Sequence, residues 1–320
     1  MEWLIVAVIS YSINAGVYVA DKFLLSKKVH SSISYAFYVG IWSIFNLALL
    51  FFAPWFPDLK ELLLDLSGGI LFFATLVFWY KALHQSEATR VVPIVGALIP
   101  IFSFSFSFLF LGEAFDRQQL LAFIILIAGG ILISIKQTKV YLWSHVLKKF
   151  QDIFGNLLGD IHAQYRPTRR LLANSIVSAF FFAAYYVLMK YIYMHQPFIG
   201  SFVWSRMGTF IILPFVLLVP SWRWHITNYK DKAPKNLIFF LAVRLLAALA
   251  FILLNWAVSI GNVAMINALQ GTQYLFLILL VIVLSLKFPR IIKEELGRGV
   301  LIQKFIGVIL ISLGLYVLIF

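Results

Sequence analysis

The sequence predicts an all-α integral membrane protein of about ten transmembrane helices, arranged as two inverted five-helix repeats. Three observations lead there. First, 62% of the 320 residues are hydrophobic and only 12% are charged, with a mean hydropathy of +0.94. A soluble domain carries roughly 25% charged residues, so this chain lacks the polar surface that water requires. Second, apolar stretches close to the roughly 20 residues that span a bilayer recur along the chain. Short polar or proline-containing joints separate them. Third, the two halves match when one is slid over the other.

The predicted spans are 3–21, 33–53, 66–84, 89–111, 118–135, 171–193, 198–219, 237–258, 263–286 and 301–319. Met1-Glu2-Trp3 lacks the basic start of a secretory signal, so the first stretch is expected to be a retained helix. Pro54-Trp55-Phe56-Pro57-Asp58 and Lys230-Asp231-Lys232-Ala233-Pro234-Lys235 are the clearest joints, and Ile260-Gly261-Asn262 is the weakest. These spans divide the chain into a first repeat over residues 1–140, a linker over 141–170 and a second repeat over 171–320. Around the linker, Lys136, Lys139, Lys148, Lys149, Arg166, Arg169 and Arg170 surround a middle whose apolar residues recur at spacings of 3 and 4. That pattern fits a basic amphipathic helix lying on the membrane surface, or a solvated linker holding a short helix.

Tyr18-Val19-Ala20-Asp21-Lys22 falls on Tyr186-Val187-Leu188-Met189-Lys190; Ala82, Val91 and Gly96 fall on Ala257, Ile266 and Gly271; Gln118, Ala122 and Gly129 fall on Gln303, Gly307 and Gly314. Five spans per half is an odd number, so the second copy must be inverted relative to the first. Inverted repeats are a common construction of secondary transporters, with the substrate held at the repeat interface.

Lys and Arg divide unevenly between the two faces. With ten spans, the N-terminal side receives three cations and the opposite side 21, the remaining two of the 26 lying within spans. The positive-inside rule places the 21 in the cytoplasm and both termini outside, in a plasma or inner cell membrane. The +13 net charge is thereby absorbed by loops, and no nucleic-acid partner is expected.

The segment Ala82-Leu83-His84-Gln85-Ser86-Glu87-Ala88, then Pro93 and Pro100, then Leu109-Phe110-Leu111-Gly112-Glu113, resembles the fourth-helix region of the EamA family. Gln118-Gln119 and Gly129-Gly130-Ile131-Leu132 continue the resemblance. That family belongs to the drug/metabolite transporter superfamily. The likeness is good across about residues 70–135; the second half matches mainly in span count and spacing, with Lys287-Phe288 where the Gly-Glu pair would stand. The resemblance implies ten helices in two inverted repeats around a central cavity and transport of small metabolites by alternating access. It also implies cytoplasmic termini, against the charge count.

A charge at bilayer depth costs at least ~2.5 kcal/mol and so tends to carry a function or meet a partner. Arg206 lies near the middle of the seventh span and Arg244 about two turns into the eighth, and no acidic residue is expected comparably deep. The pair therefore reads as an anion-binding group, since a guanidinium fork matches carboxylate or phosphate oxygens. The structural alternative is that Arg244 snorkels while Arg206 binds helix carbonyls or a lipid headgroup. Asn14, Tyr185, Asn267, Gln270 and Gln273 complete the candidate lining, with Ser10, Tyr11, Tyr186, Asn255 and Asn262 as neighbours. Taken singly, each fits helix-to-helix hydrogen bonding better. Pro93, Gly96 and Pro100 read equally as a packing kink or a gate. Lys22 and Lys190, near span ends, are expected to snorkel.

No catalytic group, cofactor or metal is expected. The chain contains no cysteine, its six histidines show no metal spacing, and no P-loop is present. The expectation is a secondary transporter or exporter of a small anionic or zwitterionic metabolite, such as an amino acid, organic acid or organic phosphate. Membrane lipid surrounds it, and a homodimer is allowed. The competing readings are a flippase for a phospholipid-linked sugar, which predicts a lateral opening, and a membrane scaffold or enzyme.

Overall fold

A computed structural model describes residues 2–27, 31–86, 88–134, 169–227, 234–287 and 298–319. The linker predicted over 141–170 lies outside these residues, except where 169 and 170 open a helix.

Every element among the described residues is helical. In the first half, α1 covers Glu2–Lys27 and α2 covers Ser32–Ile41, which tightens into a 3₁₀ helix over Trp42–Phe51. Then come α3 (Leu59–Gln85), α4 (Ala88–Phe106, closing in a π-turn at Ser107–Leu111) and α5 (Arg117–Ser134). In the second half, α6 covers Arg169–His195, followed by α7 (Phe198–Ile211), α8 (Leu213–Leu218) and α9 (Pro220–Thr227). The last are α10 (Pro234–Ile260), α11 (Val263–Ala268), α12 (Gln270–Lys287) and α13 (Arg298–Ile319).

Among the described residues, seven helical stretches are long and apolar enough to cross a membrane: 2–21, 32–51, 59–85, 94–111, 169–195, 198–218 and 238–260. Two shorter apolar helices cover 117–132 and 305–319. The chain is thus a multi-pass membrane protein, all-helical over its described residues. Large apolar side chains such as Phe51, Phe108, Leu245 and Phe305 project from the outer surface, where lipid rather than water is their solvent.

Local signals fix the helix ends. At α3, the Asp58 carboxylate accepts from the Glu61 backbone N–H at 2.8 Å while the Glu61 side chain accepts from the Asp58 N–H at 2.9 Å, a reciprocal cap. Asp116 and Gln119 repeat the device at the start of α5, at 2.7 and 3.3 Å. Gly112 ends the π-turn at φ 67°, a left-handed conformation that glycine adopts without steric cost. Pro214, early in α8, cannot donate a backbone hydrogen bond, which breaks what hydropathy reads as one span into α7 and α8.

Packing places the halves against each other. Helix α1 lies on α10 and α12, and α6 lies on α3 and α4; α5 pairs with α13, α4 with α11, and the 3₁₀ helix with α7. The closest approach is between α3 and α7. A Cβ on Gly69 would collide with the Ser205 carbonyl, and one on Gly208 with that of Leu66. Small residues let backbones meet where lipid offers no hydrophobic drive for association. The Thr209 hydroxyl donates to the Gly69 carbonyl at 2.9 Å, closing the same contact.

Two acids sit deeper than the sequence reading allowed. Helix α1 continues six residues past Asp21, and α3 begins seven residues before the predicted start at 66, so Asp21 and Asp65 both lie within helices. Both are buried. Hydropathy ended each span at the polar residue, whereas the backbone hydrogen bonding runs on through it.

Candidate functional site

A cavity of about 130 Å³ lies between the two halves, room for roughly ten waters. Helices α1, α2, α3, α6, α7 and α10 and the 3₁₀ helix line it. Among its lining residues are three ionisable acids and bases: Asp21, Arg206 and Arg244.

Arg206 is carried on α7 at its contact with α3. One guanidinium nitrogen, Nη2, donates to the Thr209 hydroxyl at 2.9 Å, so the arginine hangs from the same residue that joins the two helices. Its planar face rests on Phe72, 3.8 Å from the ring centroid, with Phe251 at 4.8 Å and Tyr185 at 5.9 Å. Each such contact is worth about 0.5–2 kcal/mol, more when water is excluded. Nε is buried and without a hydrogen-bond partner. Among the described residues no carboxylate pairs with Arg206, although the residue is only 4% exposed.

Arg244 is different. It forms an ion pair with Asp21 across α10 and α1. The expectation that neither arginine meets an acid is therefore corrected for Arg244. Tyr35 and Tyr80 complete the cluster, their hydroxyls donating to the two Asp21 oxygens at 2.7 and 3.3 Å. Arg244 also reaches the same two hydroxyls, at 3.3 and 3.5 Å. The two charges are thus matched within a network of four side chains, with Nε of Arg244 the buried donor left without a partner.

Of the seven residues predicted for the site, Asn14, Arg206 and Arg244 line the cavity. Tyr185 stands behind the wall, packed on Phe72 and Phe251, with its hydroxyl donating to Asn255 at 3.1 Å. Asn267 bonds Ser103 at 2.7 Å across α11 and α4. Gln270 and Gln273 are buried away from the lining, Gln270 beside Gly96 of α4. Asn267 thus joins two helices, the role that hydrogen-bonding side chains in membranes usually fill, whereas both amide atoms of Gln273 are buried without a hydrogen-bond partner.

Sequence reasoning missed Asp21, Tyr18, Trp42, Asn46, Trp79 and Tyr80, all on the cavity wall. One signal was available for Asp21: the repeat match sets it on Met189, so it is an acid in one half with no counterpart in the other.

Two further polar clusters lie outside the cavity. Asp65 faces the Gln196 amide, which donates at 2.9 and 3.2 Å once its nitrogen is turned to the carboxylate. Glu113, in the connection after α4, accepts from Asn262 at 2.8 Å. Burial pushes the Glu113 carboxyl above its ordinary range, and Lys190 and Ser107 draw it partly back. Lys190 itself donates to the Ser259 carbonyl at 3.1 Å. No group of three or more acids and histidines able to hold a metal exists among the described residues.

Residues 1–135 match the model of the EamA-like transporter family, within the drug/metabolite transporter superfamily. No curated protein matches the sequence. A solved structure described as "Crystal structure of protein" aligns over 98% of this chain and 94% of its own, with a TM-score of 0.62 and 12% identity. At that identity the likeness is one of fold.

Proposed function

We propose that this chain, whose first 135 residues match a family of transporters, is a secondary transporter of a small anionic or zwitterionic metabolite. It works by alternating access between two inverted five-helix repeats that together supply ten spans. Helix packing supports the repeats. Exchanging the halves turns the contacts of α6 with α3 and α4 into those of α1 with α10 and α12, and both sets are present. The 21-to-three division of cations supports a cytoplasmic face opposite the N-terminus.

The observation that carries the reading is Arg206. A guanidinium buried at bilayer depth, on a cavity wall and without a carboxylate partner, is stabilised when an anion enters. Arg244, neutralised by Asp21, shapes the same cavity rather than supplying a second free charge. A cavity of about 130 Å³ favours a small solute over a phospholipid-linked sugar. In proteoliposomes, Arg206→Gln is expected to reduce anion flux at least about a hundredfold, the scale of losing a charge-assisted pair of roughly 3 kcal/mol. Undiminished flux from a folded variant would return the site to the amides and aromatic rings.

A further inference from the structure

We propose that the substrate is a singly charged carboxylate carried on a flat, unsaturated ring, without an ammonium group. This rests on the reading that Arg206 holds the substrate and narrows its class.

Charge sets the first limit. Of the three ionised side chains on the wall, Asp21 and Arg244 cancel, leaving one positive charge at Arg206. A monoanion neutralises it. A dianion brings a second charge that no free cation on the described wall receives, and an unpaired charge in a low-dielectric site is costly. An ammonium group fares no better. Asp21 already accepts from Arg244, Tyr35 and Tyr80, three of the roughly four acceptor positions of a carboxylate. The acid that would recognise an amine is thus occupied.

The wall sets the second limit. Nine of its twenty residues are aromatic. Its uncharged non-aromatic polar side chains are Asn14, Ser43 and Asn46. The Asn46 amide is held by the Ser43 carbonyl at 2.9 Å, and Asn14 reaches Ser10 at 3.5 Å. A sugar or polyol would leave most of its hydroxyls without partners, whereas a ring gains offset and edge contacts with the aromatic side chains. Phe72 and Phe251 cover Arg206, so its hydrogen-bonding edge, where Nε is unpartnered, is the part left for an oxygen pair. A carboxylate, planar and bidentate, matches that edge.

The test is calorimetric titration of the purified full-length protein with phenylacetate, phenylalanine, phenethylamine, acetate and terephthalate. Phenylacetate is expected to bind at least about tenfold more tightly than each of the others, and its binding is expected to vanish in Arg206→Gln. Equal or tighter binding of phenylalanine, terephthalate or acetate overturns the substrate class while leaving Arg206 as the anion site, provided that binding is lost in the variant. Phenylacetate binding that persists unchanged in a folded Arg206→Gln overturns the Arg206 reading itself. Binding of no probe overturns the proposal. If the variant does not fold, the rank order in the unaltered protein still decides the substrate class.

Discussion

At the scale of single residues, the two arginines separate by what surrounds them rather than by depth. Arg244 is held by Asp21 and two tyrosine hydroxyls, and Arg206 by rings and one threonine. Removing one member of a buried pair leaves the other charge uncompensated, so Asp21→Ala is expected to cost about 3–5 kcal/mol of folding stability. Thermal unfolding in detergent should show this as a clear fall in midpoint. The double variant Asp21→Ala/Arg244→Met should recover most of that loss, because apolar packing replaces a buried pair at little net cost. A single variant as stable as the parent would show that the pair carries no weight. Arg206 and Arg244 were legible in the sequence because arginines inside apolar runs stand out. Asp21 was not, since an acid followed by Lys22 reads as the end of a span. The aromatic cavity wall was equally hidden. Among 32 Phe, 14 Tyr and 9 Trp, spacing does not separate the rings that face a cavity from those that face lipid.

At the scale of elements, a helix lies within each segment that hydropathy marked out, and among the described residues seven are long and apolar enough to span a membrane. Their internal irregularities were not legible. Hydropathy averages over a window and carries no information on hydrogen-bond register, so the 3₁₀ stretch at Trp42–Phe51 and the π-turn at Ser107–Leu111 left no trace in it. Pro214 lies two residues past the α7–α8 break and Gly271 two residues past the one at Leu269, and windowed hydropathy registered neither. The contact between α3 and α7 is the element-level feature most open to test. Gly69→Ala must push the helices apart and is expected to destabilise by about 1–3 kcal/mol or more, as overpacking does. Gly16→Ala is the control: the nearest atom to its added methyl, on Leu280, is 4.0 Å away, so it should be tolerated. Comparable melting of the two variants would remove the contact from consideration as a tight joint.

At the scale of the whole molecule, orientation divides the charge count from the family resemblance. The chain has no cysteine, so single introduced thiols report their side cleanly. With the termini outside, Lys60→Cys in intact cells should react with a membrane-impermeant maleimide, and Thr227→Cys should react only after the membrane is opened. The reverse pattern would overturn the charge-based orientation and support cytoplasmic termini. The weak matches that keep their order between residues 1–140 and 171–320 were legible in the sequence. The way the halves interlock was not, because contacts such as α1 with α10 join residues more than two hundred positions apart.

The glycine contact on α3 meets a different kind of contact at the matching position in the second half of the chain. In the register that sets Ala82 on Ala257, Gly69 falls on Arg244. Where one half brings bare backbones together, the other inserts a long cation tied to a carboxylate. The two contacts are therefore held by different forces, one by steric fit and the other by electrostatic attraction. Both contacts are buried, and salt screens a buried ion pair far less than an exposed one, so neither joint is expected to loosen as ionic strength rises.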